Sequence, residues 1–217
     1  MHERLTEQGR LPIEPLGPDF PYYRDDPTAI SATGWLIVLA AVSAGFSALV
    51  IPLPFEDGIA SGWLRTAAFV GLPLIGLAIA AGNGWKAIFR RVGLREVKLM
   101  VAFAALNILV SMAIGFLVKR FGTVTANAGV ADAAQLEGAR LASFFAKTGV
   151  QLLGEELITI LPFLALLTFL HMRAGLGRNA ALLVAWFVSA IAFGLIHLPT
   201  YDWNWVQCVV VIGSARL

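Results

Sequence analysis

Apolar residues run almost unbroken along most of this chain, and polar positions gather where the runs end. Five runs reach or approach the ~20 mostly apolar residues that a bilayer-crossing helix needs. They are roughly Gly34–Pro54, Leu64–Gly82, Leu99–Val118, Thr148–Leu170 and Ala180–Leu198. A sixth begins near Trp205 and stops at Leu217, too short to cross. The pattern predicts an all-α, polytopic membrane helix bundle over residues 33–217, with five spans plus the start of a sixth. The bundle is expected to be incomplete at its C-terminus. Residues 1–32 are expected to form a polar, mostly irregular tail. Met1 to Pro27 holds five prolines, six acids and three arginines, and it lacks the apolar h-region of a cleavable signal.

The span edges carry membrane punctuation. Trp35, Trp63, Trp85, Trp203 and Trp205 lie at span ends, where indole favours the headgroup region. Trp186 lies inside a span and is expected to pack. Ala40, Ala44 and Ala48 form a stripe of small residues in the first span, which allows a neighbouring helix to come close. Positive charge sets an orientation. With the loop holding Lys86, Arg90, Arg91, Arg95 and Lys98 in the cytoplasm, ten basic residues fall inside and five outside. That excess places the N-terminus in the cytoplasm. The stretch "QLEGARLASFFAKTG" before span four has the pattern of an interfacial helix.

Composition agrees with the pattern. Of 217 residues, 58% are hydrophobic and 14% charged, against about 25% charged in a soluble domain. Mean hydropathy is +0.77. The lipid bilayer is the expected surrounding, and an integral protein of a bacterial plasma membrane the expected setting. A net charge of +2 gives no reason to expect a nucleic-acid partner. The single cysteine, Cys208, has no second thiol to pair with and is expected to be a buried thiol.

Span four contains "GVQLLGEELITILPF", with Glu155 and Glu156 adjacent. Ionisable residues inside a span are rare and point to function by default. On a helix the two acids point about 100° apart. Gln151, Glu155 and Thr159 repeat at i, i+4 and i+8 as one polar stripe. Glutamates reaching a nearby membrane edge are the alternative, because Glu155 lies about two turns from the expected helix start. The next span ends in "FGLIHLPTYDWNW" and supplies His197. The turn between the spans centres near Ala174–Gly175. Glu155 lies 19 residues before Ala174 and His197 lies 22 after Gly175, about 29 and 33 Å at the helical rise. An antiparallel hairpin therefore brings Glu155, Glu156 and His197 to one depth, with Phe193 one turn from His197 on the same face.

Such a trio can activate water. A carboxyl in a low-dielectric site shifts toward a useful general base, and imidazole can position water or donate to an oxyanion. Glu155 and His197 can also ligate zinc, for which further firm ligands are needed. Both routes stay open, one with zinc and one without a cofactor. His171 sits at the far end of span four and is expected to be an edge residue.

The Glu155-Glu156 pair followed by Phe193-to-His197 resembles the CAAX protease and bacteriocin-processing (CPBP, or Abi) family of intramembrane proteases, whose motifs are EExxxR, FxxxH and a later HxxxN or HxxxD. The resemblance covers about Thr148 to Trp205. It implies an endopeptidase in which Glu155 activates water, Glu156 supports it and His197 positions the water or stabilises the oxyanion. The substrate it implies is a membrane-associated peptide or a lipidated protein tail. The arginine of the first motif is Ile160 here, and no third motif follows His197. A non-catalytic scaffold, immunity or regulatory relative is the alternative. A proton-relay transporter using the two acids is a third reading.

Overall fold

The chain is described here by a computed structural model, which covers residues 10–11, 14, 19–51 and 58–216, and only the backbone of residues 128, 130 and 131. Most of the expected tail and the expected end of the first span at residues 52–54 lie outside the described residues. The architecture is all-α, as the pattern predicts. Among the described residues the α-helices are α1 (Ala32–Val50), α2 (Ile59–Ala81), α3 (Leu94–Phe121), the short α4 (Ala128–Ala133), α5 (Gly138–Thr168) and α6 (Arg178–Leu195). Five helical runs among these residues are long and apolar enough to cross a membrane. The chain divides into two compact units. The first holds residues up to Ile88 together with Val150–Phe187, and the second holds Phe89–Gly149 and Val188–Leu217.

In the first unit, α1 and α2 pack closely because glycine and alanine meet at the crossing. A Cβ added to Gly76 would lie 2.5 Å from the Ala41 Cβ. One added to Gly45 would lie 3.1 Å from both the Phe69 carbonyl oxygen and Pro73 Cδ. Pro73 has no N–H to give the Phe69 carbonyl four residues back, and Gly45 fits the notch this leaves. The face that α1 buries thus runs through Gly34, Val38, Val42 and Gly45. The expected stripe of Ala40, Ala44 and Ala48 is not that face, since Ala40 and Ala44 are exposed. Both stripes have helical spacing, and the sequence spacing alone does not choose between them. Trp35 lies in the first turn of α1, at the span end as expected, and its ring is buried in the core.

α5 contributes Leu157, Leu161 and Leu164 to the same core, each at most 1% exposed. Their i, i+4, i+7 spacing makes one face of a helix. The helix begins at Gly138, which has φ +53°, and runs without a break through the stretch expected to lie in the interface. No proline interrupts that stretch, so nothing forces the interfacial segment to separate from the span. The helical run ends in a π-helical turn, Phe169–Arg173. The turn is closed by bonds from the Ala174 N–H to the Phe169 carbonyl and from the Leu176 N–H to the Leu170 carbonyl, both 3.0 Å. Gly175, at φ +71°, takes the left-handed conformation that favours glycine. The hairpin turn therefore falls where the sequence placed it.

In the second unit, none of the described residues of α3 is buried. Amides make the connections that apolar packing does not. Gln207 accepts from the Thr125 N–H at 2.8 Å and donates to its carbonyl at 2.9 Å. Asn204 donates to the Thr123 carbonyl at 2.7 Å, and Asn107 donates to the Ala215 carbonyl at 2.7 Å. Each satisfies backbone groups that would otherwise be orphaned in an apolar setting. Gly194 on α6 meets the Cys208 carbonyl so closely that a Cβ there would overlap it. Cys208 is a fully buried free thiol, as expected.

Candidate functional site

The polar stripe of α5 is present as spaced. Gln151, Glu155 and Thr159 are half-buried, and Glu156 is exposed. At 100° per residue the stripe lies on the face opposite Leu157, Leu161 and Leu164. The acids therefore look away from the hydrophobic core of their own unit. Glu155 is also far from a helix end. It lies 17 residues after Gly138, nearly five turns rather than two, so its backbone is fully paired within the helix. The Thr159 hydroxyl donates to the Glu155 carbonyl at 2.7 Å. It is engaged with backbone four residues back, a common arrangement for threonine in a helix. Ile160, where the resembled family has arginine, packs against the hydrophobic core of the first unit.

The residue beside the acids fixes the helix in place. Gly154 is buried, and a Cβ there would overlap Cδ1 and Cε1 of the Phe69 ring on α2. Gly154→Ala is expected to destabilise the first unit by about 1–3 kcal/mol, the range for overpacking. Phe69→Leu in the same chain should recover part of that loss. Chemical denaturation in detergent would measure both, and a Gly154→Ala protein as stable as the parent would refute the contact.

His197 follows the last turn of α6, in the second unit. Its N–H donates to the Gly194 carbonyl at 3.1 Å, tightening the helix end. Its ring nitrogen Nδ1 lies 2.7 Å from the Phe193 carbonyl oxygen. A carbonyl only accepts, so Nδ1 carries the proton in this bond. In the neutral ring Nε2 then holds the lone pair, available to a water, a proton or a metal. The Phe193 ring lies against the imidazole at 4.7 Å between centroids. On the Phe193 ring also rests the Arg216 guanidinium, 4.0 Å from its centroid, a cation–π distance. The FxxxH spacing thus has a local geometric meaning: one residue provides both a carbonyl and a ring to the histidine. Asp202 and Asn204 are turn residues. Asp202 has φ +50°, and Asn204 accepts from the Gln207 N–H at 3.0 Å.

The densest polar network among the described residues lies elsewhere, at the start of α6. Arg178 donates Nη1 and Nη2 to the two Glu14 carboxylate oxygens at 2.8 and 2.7 Å. Nη2 also reaches Asp19 Oδ1 at 2.7 Å, and Nε reaches the Tyr23 hydroxyl at 3.2 Å. Tyr23 in turn donates to Asp19 Oδ2 at 2.6 Å. Its ring lies 5.3 Å from His171, whose Nδ1 donates to the Leu176 carbonyl at 3.0 Å. In the sequence Arg178 is one of the ten basic residues on the inner side, with nothing local to mark its partners. Tyr22-Tyr23 within a proline-rich acidic tail was the available signal, since two aromatics need burial. The described part of the tail is irregular, as expected, yet Tyr22 and Tyr23 are at most 1% exposed. Burial acts to raise the Asp19 carboxyl, but bonds from Arg178, Tyr23 and the Phe20 N–H outweigh it and hold the group at about 2. Burial and the Asp19 bond push the Tyr23 hydroxyl up to about 12. The bonds from Arg178 hold Glu14 below its ordinary value.

Among the described residues no three His, Cys, Asp or Glu side chains gather where a metal ion could be held. A zinc centre takes three or four protein ligands, so the described donors do not fit one. Comparison with protein-family models, with curated proteins and with solved structures finds no significant match to this chain.

Proposed function

We propose that the chain is a membrane-embedded endopeptidase of the CPBP type, acting on membrane-associated peptides or lipidated protein tails. The observation that carries this reading is the His197 Nδ1 bond to the Phe193 carbonyl, which leaves Nε2 free at the end of a transmembrane helix. The spacing counted along the sequence supports the other half of the site, with Glu155 19 residues before Ala174 and His197 22 residues after Gly175. In this reading Glu155 takes a proton from water as the water oxygen bonds to the scissile carbonyl carbon. Nε2 accepts a hydrogen bond from that water and holds it in line. The proton held by Glu155 then passes to the leaving nitrogen as the C–N bond breaks, and the second water hydrogen stays with the new carboxyl. Glu156 supports Glu155 from the next position on the helix.

The test is cleavage of membrane-anchored tail peptides by the protein in lipid nanodiscs, run in heavy-oxygen water. One heavy oxygen should enter each new C-terminal carboxyl. Cleavage without that label would overturn water attack, and no cleavage of any anchored peptide would overturn the enzyme reading. A second reading has its own observation. Ile160 packs in the core where the resembled family carries arginine, and the His197 bond also caps a helix end, a structural use. A non-catalytic relative would keep its cellular role when Glu155 is replaced by glutamine.

A further inference from the structure

A cavity of about 900 Å³ opens in the first unit, between the start of α1 and the last turns of α5. It is separate from the acids: its wall begins at Pro162, seven residues past Glu155, about 10 Å along the helix. Its polarity is graded. Asp25, Ser31 and Arg173 border one end, where α1 starts and the π-helical turn finishes. Leu36, Leu39 and Leu166 line the rest. From Ser31 to Leu39 is eight residues and from Arg173 to Pro162 eleven, so the apolar slot runs about 12–16 Å into the spans. Leu36 is 66% exposed, which leaves the slot open on its apolar side, toward the bilayer.

We propose that this cavity binds one bilayer phospholipid with an amine headgroup, an acyl chain in the slot and the headgroup at the charged end. The headgroup assignment comes from charge. Arg173 and Asp25 are both exposed, and neither carries an ion pair among the described residues. A guanidinium matches a phosphate, and a carboxylate matches an ammonium. One cation and one anion at the same mouth therefore complement a zwitterion, with phosphate on Arg173 and ammonium on Asp25. A net-anionic lipid would meet repulsion at Asp25, and a trimethylated ammonium has no N–H to donate there. The Trp35 indole N–H, on the same wall, is covered and has no acceptor among the described residues. A small tilt of the ring toward the slot would give it a lipid ester carbonyl. The site belongs to the headgroup level on the side that the basic residues assign to the cytoplasm.

The experiment is native mass spectrometry of the full chain released from detergent. Phosphatidylethanolamine, phosphatidylcholine and phosphatidylglycerol of equal chain length are supplied together. One phosphatidylethanolamine should remain bound under conditions that strip the other two. Arg173→Ala and Asp25→Asn should each lower its retention about tenfold, as expected for loss of a hydrogen bond to a charged group. Leu36→Trp should block the slot and remove all three lipids. Leu36 is exposed, so this variant is expected to fold, and circular dichroism with size-exclusion chromatography checks that. Equal retention of the three lipids with both charge variants unaffected would reduce the cavity to ordinary annular contact and overturn the proposal. Preference for phosphatidylglycerol, unchanged by Asp25→Asn, would overturn the amine assignment. A second copy of the chain that Leu36→Trp displaces would overturn the lipid assignment.

Discussion

Glu155→Gln should lower the rate of peptide cleavage by about 10²–10⁴-fold, the usual contribution of a positioned general base. Glutamine keeps the shape and the half-buried position of the side chain and removes only the ability to take a proton. α5 should therefore stay folded, since its core face is built from Leu157, Leu161 and Leu164. His197→Ala should lower cleavage in the same range. It also frees the Phe193 carbonyl that Nδ1 now engages, so a modest loss of stability is expected alongside. Rate and stability together separate the two functions of the histidine. A variant that only loosened the helix end would lose activity in step with its melting temperature, whereas loss of the water-positioning group should lower cleavage at temperatures where the variant stays folded. Cleavage at the parent rate in both variants, with unchanged melting, would sink the assigned roles and favour the non-catalytic reading.

The second large effect concerns stability. Arg178→Ala should destabilise the protein by about 3–5 kcal/mol, the range for removing one partner of a buried ion pair. The Arg178 side chain is 8% exposed, and its partners Glu14 and Asp19 are 13% and 17% exposed. Without the guanidinium, two carboxylates and the Tyr23 hydroxyl lose the donor group they share. Arg178→Lys should recover only a fraction, because an ammonium cannot reproduce the two-pronged contact with Glu14. Thermal unfolding in detergent would measure the loss, and limited proteolysis would show whether residues 19–31 come loose. An unchanged melting temperature in Arg178→Ala would show that the network contributes little.

The same network sets a pH window. The Asp19 carboxyl is held at about 2, below its ordinary 3.8. A depressed acid contributes stability above the unfolded value and loses it as pH falls through the folded one. Its contribution should be intact at neutral pH and disappear between about 3.8 and 2. Tyr23 is pushed up from 10 to about 12, so the unfolded chain sheds that proton first and stability should decline across that interval. Arg178→Ala should flatten the acid limb and leave the alkaline limb in place, because burial and Asp19 raise Tyr23 while the Arg178 bond acts to lower it. A melting temperature that falls with pH equally in parent and variant would separate the acid limb from this network.

The α5 polar stripe and the FxxxH geometry were legible because both are local. Residues at i and i+4 meet on a helix whatever surrounds it, so Gln151, Glu155 and Thr159 fall in line and Phe193 reaches His197. The length of α5 was less legible. Leu141, Phe144 and Phe145 in a partly charged stretch suggested an interface, but nothing in the sequence there breaks a helix, and the hydrogen-bond ladder continues once begun. The choice between the Ala40 stripe and the Gly45 stripe was not legible either. Two small-residue faces of similar spacing differ only in what the neighbouring helix presents, here the notch that Pro73 leaves at the Phe69 carbonyl.

By itself, the sequence determined the class of the protein. Apolar runs of bilayer length must become helices, because the membrane interior offers no other partner for the backbone. It also determined the turn at Ala174–Gly175 and the positions of the two acids and the histidine along their helices. Tertiary structure decided which faces are buried and which charges are paired. Glu14 and Asp19 find Arg178 some 160 residues away, and the acids of α5 face away from the leucines of their own unit. Pairing across that distance depends on how packed helices bring chain ends together, and periodicity along one helix carries no record of it.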